Sequence, residues 1–268
     1  MSRTTITTLA LFLILTCIAD ISYSQRIKLH KMLPMPGIRF TVEGHDAFLI
    51  SPNNSETTNP TRWVFYSPTL KPYPGSEEKW MIQKFLAAGI AIAGIDVGES
   101  HGSPEGSQAY TALYNHLVKD RGLAPKASLL ARSRGGLMLY NWAARSPEKV
   151  ACIAGIYPVC DLRSYPGLNI AAPAYGLTEL QLQQQLTDYN PIDNLKPLAE
   201  ANIPIFHIHG DSDTTVPLEQ NSAELARRYK KLGGSITLEI VKGRGHDMWD
   251  GWFKSQALVD FVIAQGYP

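Results

Sequence analysis

Apolar runs of strand length alternate with amphipathic segments of helix length along most of the chain. A wholly apolar run is typical of a parallel strand covered on both faces, and apolar residues at helical spacing indicate a helix with one buried face. The predicted strands are residues 63–66, 90–95, 128–130, 150–156, 203–209 and 235–241. The predicted helices are residues 76–88, 106–120, 134–145, 218–232 and 252–265. This alternation predicts an α/β fold with a mostly parallel central sheet, flanking helices and right-handed crossovers.

Two segments depart from this alternation. Residues 38–42 and 47–50 are short alternating runs separated by a polar glycine turn, which is typical of an antiparallel hairpin. Residues 157–202 contain five prolines and a glutamine-rich stretch. A connection this long and irregular is usually functional in a compact domain, so we expect a small cap insertion over a substrate pocket, with a helix at residues 178–186. The alternative is a surface excursion without substrate contact.

The amino-terminal segment has the features of a targeting sequence. Arg3 precedes an apolar run at residues 9–19, and Ser22-Tyr-Ser24 supplies small residues at the usual cleavage positions. The run is shorter than the ~20 residues that a membrane-spanning helix needs. We therefore expect residues 1–24 to be a signal peptide and residues 25–268 to form one domain. The mature chain would be secreted or periplasmic without stable membrane insertion, and an uncleaved anchor is the alternative.

Charge and cysteine content narrow the function classes. The net charge is +1 and 18% of the residues are charged, with no basic block, so nucleic acid is not an expected partner. Beyond the signal peptide, Cys152 and Cys160 remain. On one extended strand they would lie roughly 26 Å apart, against the ~5.5 Å between the Cα atoms of a disulfide, so we expect buried free thiols. The spacing of cysteines and histidines matches no metal site, and we expect no metal and no organic cofactor.

A serine at a tight turn is the main chemical feature. Residues 126–140 have the pattern of an apolar strand, a turn at Ser133 and a helix. Such a turn presents a serine hydroxyl above the end of a sheet, and it needs small residues two positions on either side because backbone segments pass closely there. Ala131 and Gly135 occupy those positions.

Two later segments supply the partners that a serine nucleophile needs. Asp213 follows the predicted strand at residues 203–209, and His246 lies in a glycine-rich loop after residues 235–241. A serine hydroxyl is a poor nucleophile until a base accepts its proton, and an acid then holds the imidazole. The pattern predicts Ser133 as nucleophile, His246 as base and, as acid, a carboxylate after residues 203–209, for which Asp213 is one candidate. Asp211 is a rival for the last role, with a turn as its alternative function.

The turn and the order Ser, Asp, His resemble the α/β-hydrolases. Within that superfamily the chain resembles secreted bacterial esterase-like proteins and the catalytic domain of prolyl oligopeptidases, over most of the mature chain. The further segments that carry this resemblance are Trp63-Val-Phe-Tyr66, Tyr140-Asn-Trp-Ala-Ala144, Pro158-Val-Cys-Asp161 and Pro191-Ile-Asp-Asn-Leu195. The resemblance implies an α/β-hydrolase fold with a small cap.

The resemblance also implies roles for individual residues. It selects Asp213 over Asp211, because the acid of this superfamily usually stands four residues before the proline of a Val-Pro turn. It implies an oxyanion hole formed by the backbone N–H of Arg134 and by one from the loop after the first parallel strand, for which Ser67 and Tyr66 are the candidates.

Two arginines flank the nucleophile. One of them, for which Arg132 is the candidate, would bind a substrate carboxylate such as that of a uronic acid. The alternative is that Arg132 and Arg134 are held by internal carboxylates such as Asp96 or Asp161.

Other aromatic side chains are further candidates for the pocket. Trp249 follows the predicted base and could stack on a sugar ring, with packing on the sheet as the alternative. His101 would line the rim of the pocket or stabilise its own loop. His207 and His209 lie on a strand that should be buried, so we expect hydrogen bonds inside the core or behind the site.

Together these features predict a secreted serine esterase that hydrolyses carboxylic esters through an acyl-enzyme. Its partner would be a small-molecule or polysaccharide ester. The first alternative is a small serine peptidase of the prolyl oligopeptidase type, against which stand the lack of length for a propeller domain and of an obvious acidic pair for a peptide's amino terminus. The second is a catalytically silent binding protein on a hydrolase fold.

Overall fold

A computed structural model describes residues 32–53 and 59–265, and within these ranges eight strands form one sheet. The predicted signal peptide lies outside the described residues. The strand order across the sheet is β1-β2-β4-β3-β5-β6-β7-β8. The strands are β1 Ile38–Val42, β2 His45–Ile50, β3 Trp63–Ser67, β4 Ala91–Ile95, β5 Ala127–Arg132, β6 Val150–Ile156, β7 Ile205–Gly210 and β8 Ile236–Val241.

The sheet is mostly parallel, as the apolar runs predicted. β1 and β2 form the predicted antiparallel hairpin, and β2 pairs antiparallel with β4. All pairings from β4 through β3, β5, β6 and β7 to β8 are parallel. The carboxyl ends of these six strands therefore lie along one edge of the sheet, where an α/β fold places its functional loops.

Helices cover both faces of the sheet. The α-helices are α1 Lys79–Ala87, α2 Pro104–Asn115, α3 Gly135–Arg145, α4 Leu168–Ala171, α5 Glu179–Gln184, α6 Leu186–Tyr189, α7 Lys196–Glu200, α8 Ser222–Lys231, α9 Asp250–Phe253 and α10 Gln256–Ala264. Residues of α2, α3, α7 and α8 share one buried apolar cluster, and those of α1, α9 and α10 share another. Trp63 and Phe65 of β3 contribute to the first cluster and Val64 and Tyr66 to the second, as the alternation of a strand requires.

The last predicted helix, residues 252–265, is divided in two. α9 ends at Phe253, and the side chain of Ser255 then accepts a hydrogen bond from the N–H of Leu258 (3.2 Å) and caps α10. A serine at this position favours a helix start because its hydroxyl satisfies one of the unpaired N–H groups of the first turn.

The predicted cap, residues 157–202, contains the short helices α4 to α7. The helix expected at residues 178–186 is α5, and Thr178 caps it in a reciprocal pair of hydrogen bonds with Gln181. The hydroxyl of Tyr175 donates to the carbonyl of His101 (2.7 Å), which joins this segment to the loop after β4. A role in selecting substrates stays a prediction.

Within the described ranges, the helices are too short or too polar to cross a bilayer.

Candidate active site

Ser133 lies in a strained turn between β5 and α3. Its φ is 50°, a conformation that non-glycine residues adopt rarely and at a cost. Three backbone hydrogen bonds fix this turn. The N–H of Ser133 donates to the carbonyl of Ile156 (3.0 Å), and the carbonyl of Ser133 accepts from the N–H groups of Gly136 (2.9 Å) and Val159 (2.8 Å). The strain is therefore held by β6 and the segment that follows it.

Close backbone contacts explain the glycines of this turn. A Cβ on Gly135 would lie 2.1 Å from the carbonyl oxygen of Ser67, and one on Gly136 would lie 2.2 Å from that of Val159. Both distances are far shorter than any real contact of a Cβ atom. Ala131, at the earlier small position, is buried in β5 in register with Ser67. Alanine fits there, and the two glycines cannot be replaced without moving backbone.

The structure brings the three predicted catalytic side chains together. Ser133 Oγ is 2.9 Å from Nε2 of His246, and Nδ1 of His246 is 2.7 Å from Oδ2 of Asp213. The carboxylate of Asp213 can accept a hydrogen bond from Nδ1 only if the neutral imidazole of His246 carries its proton on Nδ1. Nε2 of the neutral ring then accepts from the Ser133 hydroxyl. This geometry allows His246 to take the proton of Ser133 during an attack.

Asp213 is held as a carboxylate. Its Oδ1 accepts from the N–H groups of Thr215 (3.0 Å) and Val216 (2.8 Å). Burial alone would raise the pKa of Asp213, but the hydrogen bonds from His209, His246 and Val216 outweigh it and hold that pKa well below its ordinary value. Asp213 is thus ionised and fixed in orientation at neutral pH.

The rival acid occupies a different place. Asp211 is exposed, and its Oδ1 accepts from the backbone N–H of Gly243 (2.6 Å). It therefore joins the loop after β7 to the loop after β8, as a turn residue does. Asp247, next to the histidine, accepts from the backbone N–H of Trp249 (3.1 Å) and from Nε1 of Trp252 (2.8 Å). Neither carboxylate has a hydrogen bond to His246 among the contacts of the described residues.

Tyr157 is a residue of the site that the sequence did not indicate. Its ring centroid is 4.3 Å from that of His246, and it meets the ring of Trp252 at 5.5 Å with nearly perpendicular planes. Its φ is 35°, and its N–H donates to Ile208 (2.8 Å). Burial raises the pKa of Tyr157 to about 12. Its position directly after β6, at the same sheet edge as Ser133, was the available signal.

Arg132 is an interior residue rather than a substrate ligand. Its Nη1 donates to Oε1 of Glu78 at 2.6 Å, and the side chains are 5% and 0% exposed. The hydroxyl of Tyr66 donates to the same oxygen (2.7 Å). The assignment of Arg132 as a substrate-binding residue is therefore corrected: burial leaves its guanidinium no free face toward solvent.

The internal partner of Arg132 differs from those expected. Glu78, rather than Asp96 or Asp161, provides the carboxylate. Burial opposes the charge, yet Tyr66 and Glu78 raise the pKa of Arg132 above its ordinary value. Glu78 was missed because it lies at the start of α1, far from the serine turn in the sequence.

Arg134 lies closer to the surface. Its guanidinium forms an ion pair with Glu99, with side chains 30% and 47% exposed. The guanidinium also lies 6.0 Å from the ring centroid of Tyr165. Unlike Arg132, it can exchange its partner for a ligand without leaving a charge buried.

The predicted oxyanion donors lie near the serine. Arg134 is the N-cap residue directly before α3, where a backbone N–H has no acceptor within the helix. Tyr66 and Ser67 lie at the end of β3, in register with Leu130 and Ala131. The Ser67 hydroxyl pairs with that of Tyr110 (2.6 Å). The backbone donors stay a prediction.

The remaining substrate candidates have structural contacts. His101 is buried with φ 48°, its carbonyl accepts from Tyr175, and burial lowers its pKa, which favours the loop-stabilising alternative. Trp249 is half-buried, meets Trp252 edge-on at 5.3 Å and lies under the guanidinium of Arg244 at 4.4 Å. Because part of the Trp249 ring is exposed, the predicted stacking on a sugar ring stays a prediction.

The cysteines match the expectation of free thiols. Cys152 and Cys160 are both unpaired and buried, and burial raises the pKa of Cys152 to about 12. Among the described residues, histidine, cysteine, aspartate and glutamate side chains form no group of three or more that could hold a metal ion.

Solved structures of other proteins, some much longer than this chain and one of similar length, have the same fold. Dipeptidyl peptidase 4 of Porphyromonas gingivalis is 15% identical with a TM-score of 0.67, over 91% of this chain and 37% of that one. A puromycin-hydrolyzing peptidase of Mycobacterium tuberculosis is 15% identical with a TM-score of 0.66, over 84% and 39%. Est1E from Butyrivibrio proteoclasticus is 17% identical with a TM-score of 0.63, over 86% and 99%.

The chain spans less than two fifths of each peptidase and almost the whole of Est1E. No curated protein matches it. The model of the prolyl oligopeptidase family matches residues 124–262, a range that contains Ser133, Asp213 and His246. The chain therefore belongs to the prolyl oligopeptidase family of serine hydrolases, on an α/β-hydrolase fold.

Proposed function

We propose that this protein is a secreted serine esterase that cleaves carboxylic esters, with esters linked to polysaccharide as its substrates. The observation that carries the proposal is the hydrogen-bonded series Ser133, His246 and Asp213, with separations of 2.9 and 2.7 Å. Ser133 is the nucleophile, His246 the base and Asp213 the group that orients the imidazole.

In the first half of the reaction, Ser133 Oγ attacks the ester carbonyl while its proton passes to Nε2 of His246. The tetrahedral oxyanion accepts hydrogen bonds from backbone N–H groups, for which Arg134 is the first candidate. The C–O bond to the alcohol then breaks, and His246 returns the proton to the leaving oxygen. The product of this half is an acyl-enzyme on Ser133 and a free alcohol.

The second half repeats these steps with water. The oxygen of a water molecule attacks the acyl carbon while Nε2 of His246 accepts a proton from that water. The ester bond to Ser133 then breaks, the proton passes to Ser133 Oγ, and the acid leaves. Asp213 stays ionised throughout, in keeping with its lowered pKa, and stabilises the imidazolium in both halves.

Side chains beside the serine support an ester on a sugar as the substrate. Arg134 is partly exposed next to the nucleophile, and its guanidinium pairs with the exposed carboxylate of Glu99. Guanidinium groups bind carboxylates well, and a uronic acid would bring one to this position. Tyr165 and Trp249 are half-buried, and aromatic rings that keep some exposure can stack on sugar rings.

A serine peptidase is the second candidate function, and the family match favours it. The acylation chemistry is the same for a peptide bond. The structural match covers less than two fifths of each of the two compared peptidases, so it identifies no residue of this chain that would hold a peptide.

One panel of substrates separates these functions. Residues 25–268 would be tested with acetyl, feruloyl and methyl-uronate esters and with aminoacyl p-nitroanilides, each beside Ser133→Ala. The esterase predicts ester turnover that is lost in the variant. Amide turnover in preference to esters would establish the peptidase instead. If a fluorophosphonate labels Ser133 and all of these substrates remain intact, the substrate class is wrong.

Absence of labelling would favour the third candidate, a silent binding protein. Secretion is tested separately, by expressing the whole chain and determining the amino terminus of any exported product. A mature protein that begins at Gln25 is the expected result, and retention of residues 1–24 would contradict it.

A further inference from the structure

A buried histidine, His209, contacts the acid of the proposed triad in addition to the base His246. Nε2 of His209, on β7, lies 3.3 Å from Oδ2 of Asp213 and 2.9 Å from the carbonyl oxygen of Val216. The side chains of His209 and Asp213 are both fully buried. Oδ2 therefore has two imidazoles beside it, that of His246 at 2.7 Å and that of His209.

The contacts continue from His209 into the core. Nδ1 of His209 is 2.8 Å from the hydroxyl of Ser222, which is also 2.9 Å from Nδ1 of His207. Nε2 of His207 is 2.8 Å from the hydroxyl of Tyr140 on α3. We call these four residues, Tyr140, His207, Ser222 and His209, the buried relay. All four are at most 1% exposed.

Counting donors assigns every proton of the buried relay when both imidazoles are neutral. Nε2 of His209 faces two acceptors, so it carries the proton and Nδ1 is an acceptor. Ser222 must then give its single hydroxyl proton to His209, and it accepts from Nδ1–H of His207. Nε2 of His207 is left as an acceptor for the hydroxyl of Tyr140.

This assignment leaves no choice of tautomer at His209. The other tautomer would place a lone pair against the Asp213 carboxylate and the Val216 carbonyl. Burial supports the neutral state of the relay: it lowers the pKa of His207 to about 3 and raises that of Tyr140 well above its ordinary value, so Tyr140 remains a donor.

We propose that His209 is a positioning residue for Asp213, and that Tyr140, His207 and Ser222 hold it in the tautomer that donates to the Asp213 carboxylate. This inference rests on the proposed function, because Asp213 has a catalytic role only in a working triad. The contact at 3.3 Å is the weaker branch of a hydrogen bond shared with Val216. It keeps Oδ2 in the plane in which His246 approaches, and it stabilises the ionised carboxylate.

A matched pair of variants tests the proposal. Glutamine places an amide nitrogen where Nε2 of histidine lies, whereas asparagine reaches only the position of Nδ1. His209→Gln thus keeps a donor for Asp213, and His209→Asn keeps only the contact with Ser222. We expect His209→Gln to retain kcat within about fivefold and His209→Asn to lose about 10- to 100-fold in kcat with little change in KM.

Two further readouts separate positioning from a merely structural role. Urea unfolding gives the stability of each variant, and a carboxyl ¹³C NMR titration gives the pKa of Asp213. The proposal predicts a higher Asp213 pKa in His209→Asn than in the wild type, and a value near the wild type in His209→Gln. Equal kcat values and equal Asp213 pKa values in the two variants would overturn it, whatever their stabilities.

The test also distinguishes this inference from the proposed function. If the wild type neither reacts with a fluorophosphonate nor hydrolyses esters, the proposed function fails, and the NMR titration still decides whether His209 acts on Asp213. Should His209→Asn fail to fold, Ser222→Ala takes its place. That variant removes the hydroxyl that holds Nδ1 of His209 and lets the ring turn away from Asp213, so a raised Asp213 pKa supports the proposal and an unchanged pKa overturns it.

Discussion

The phenol ring of Tyr157 packs against the imidazole of His246, with ring centroids 4.3 Å apart. Tyr157 adopts a positive φ of 35° and follows β6, so its side chain reaches across the sheet edge toward a loop that follows β8. The imidazole is therefore held on its face by Tyr157 and at Nδ1 by Asp213.

The contact predicts different effects for two substitutions of Tyr157. Tyr157→Phe keeps the ring and should change kcat/KM by no more than about threefold. Tyr157→Ala removes the packing surface and should lower kcat/KM about tenfold or more, because a misplaced base costs rate steeply. Steady-state kinetics on one ester would measure both. Equal activity of the two variants would show that the ring does not position His246.

The buried pair of Arg132 and Glu78 should stabilise the fold only as a pair. Removing the carboxylate in Glu78→Ala leaves an unpaired guanidinium in the interior, and we expect the free energy of unfolding to fall by about 3–5 kcal/mol. Urea unfolding monitored by tryptophan fluorescence gives this value. A loss below about 1 kcal/mol would mean that water reaches Arg132.

Glu99→Ala is the matched control for that experiment. It removes the carboxylate partner of the neighbouring arginine, Arg134, but this pair is 30% and 47% exposed. An exposed pair contributes about 0–1 kcal/mol, so stability should change little. Similar losses in Glu78→Ala and Glu99→Ala would contradict the difference in burial as the cause.

Arg134 should affect the choice of substrate rather than the chemistry. If it binds a uronate carboxylate, Arg134→Ala raises KM for acidic esters about tenfold more than for neutral esters and leaves kcat nearly unchanged. The backbone N–H of residue 134 is retained, so the predicted oxyanion donor is unchanged. The two KM ratios are compared on a matched pair of acidic and neutral esters. An equal change for both would refute the role.

His207 should make stability depend on pH. Unfolded histidine takes up a proton near pH 6.5, whereas burial, helped by neighbouring His209, lowers the pKa of His207 to about 3 in the fold. Between these values the unfolded state binds more protons, so stability falls as the pH is lowered, by about 1.4 kcal/mol per pH unit. Asp213, whose pKa is also lowered in the fold, adds to this loss mainly below about pH 4, at the acid end of this window.

His207→Gln isolates that contribution. From pH 6 to pH 4.5 the wild type should lose about 2 kcal/mol more unfolding free energy than the variant. The groups that face His207 are Tyr140, Ser222 and His209, and all three remain in the variant. Parallel pH profiles of wild type and variant would mean that His207 titrates alike in both states.

Local patterns were sufficient for the sheet and for the order of the triad. β1 and β6 were predicted at the residues they occupy, and the bounds of the other strands were predicted to within one or two residues. Ser133, Asp213 and His246 could be selected because each follows a strand whose carboxyl end reaches the same sheet edge. Their catalytic roles remain predictions.

Contacts between distant segments could not be predicted in this way. Nothing near Glu78 or Arg132 in the sequence indicates that they pair, since 54 positions separate them. The packing of Tyr157 on His246 depends on a positive φ that tyrosine rarely adopts. His207 and His209 were expected to be buried and hydrogen-bonded. Their shared partner, the hydroxyl of Ser222, could not be predicted, because it depends on how α8 packs against β7.

The most direct test of the central claim is the rate at which a fluorophosphonate modifies Ser133, followed by intact mass and peptide mapping. The hydrogen-bonded geometry predicts one adduct on Ser133 in the wild type, none in Ser133→Ala, and labelling slowed about a hundredfold or more in His246→Gln. An adduct on another residue, or labelling of Ser133 at the same rate without His246, would contradict the proposed nucleophile and base.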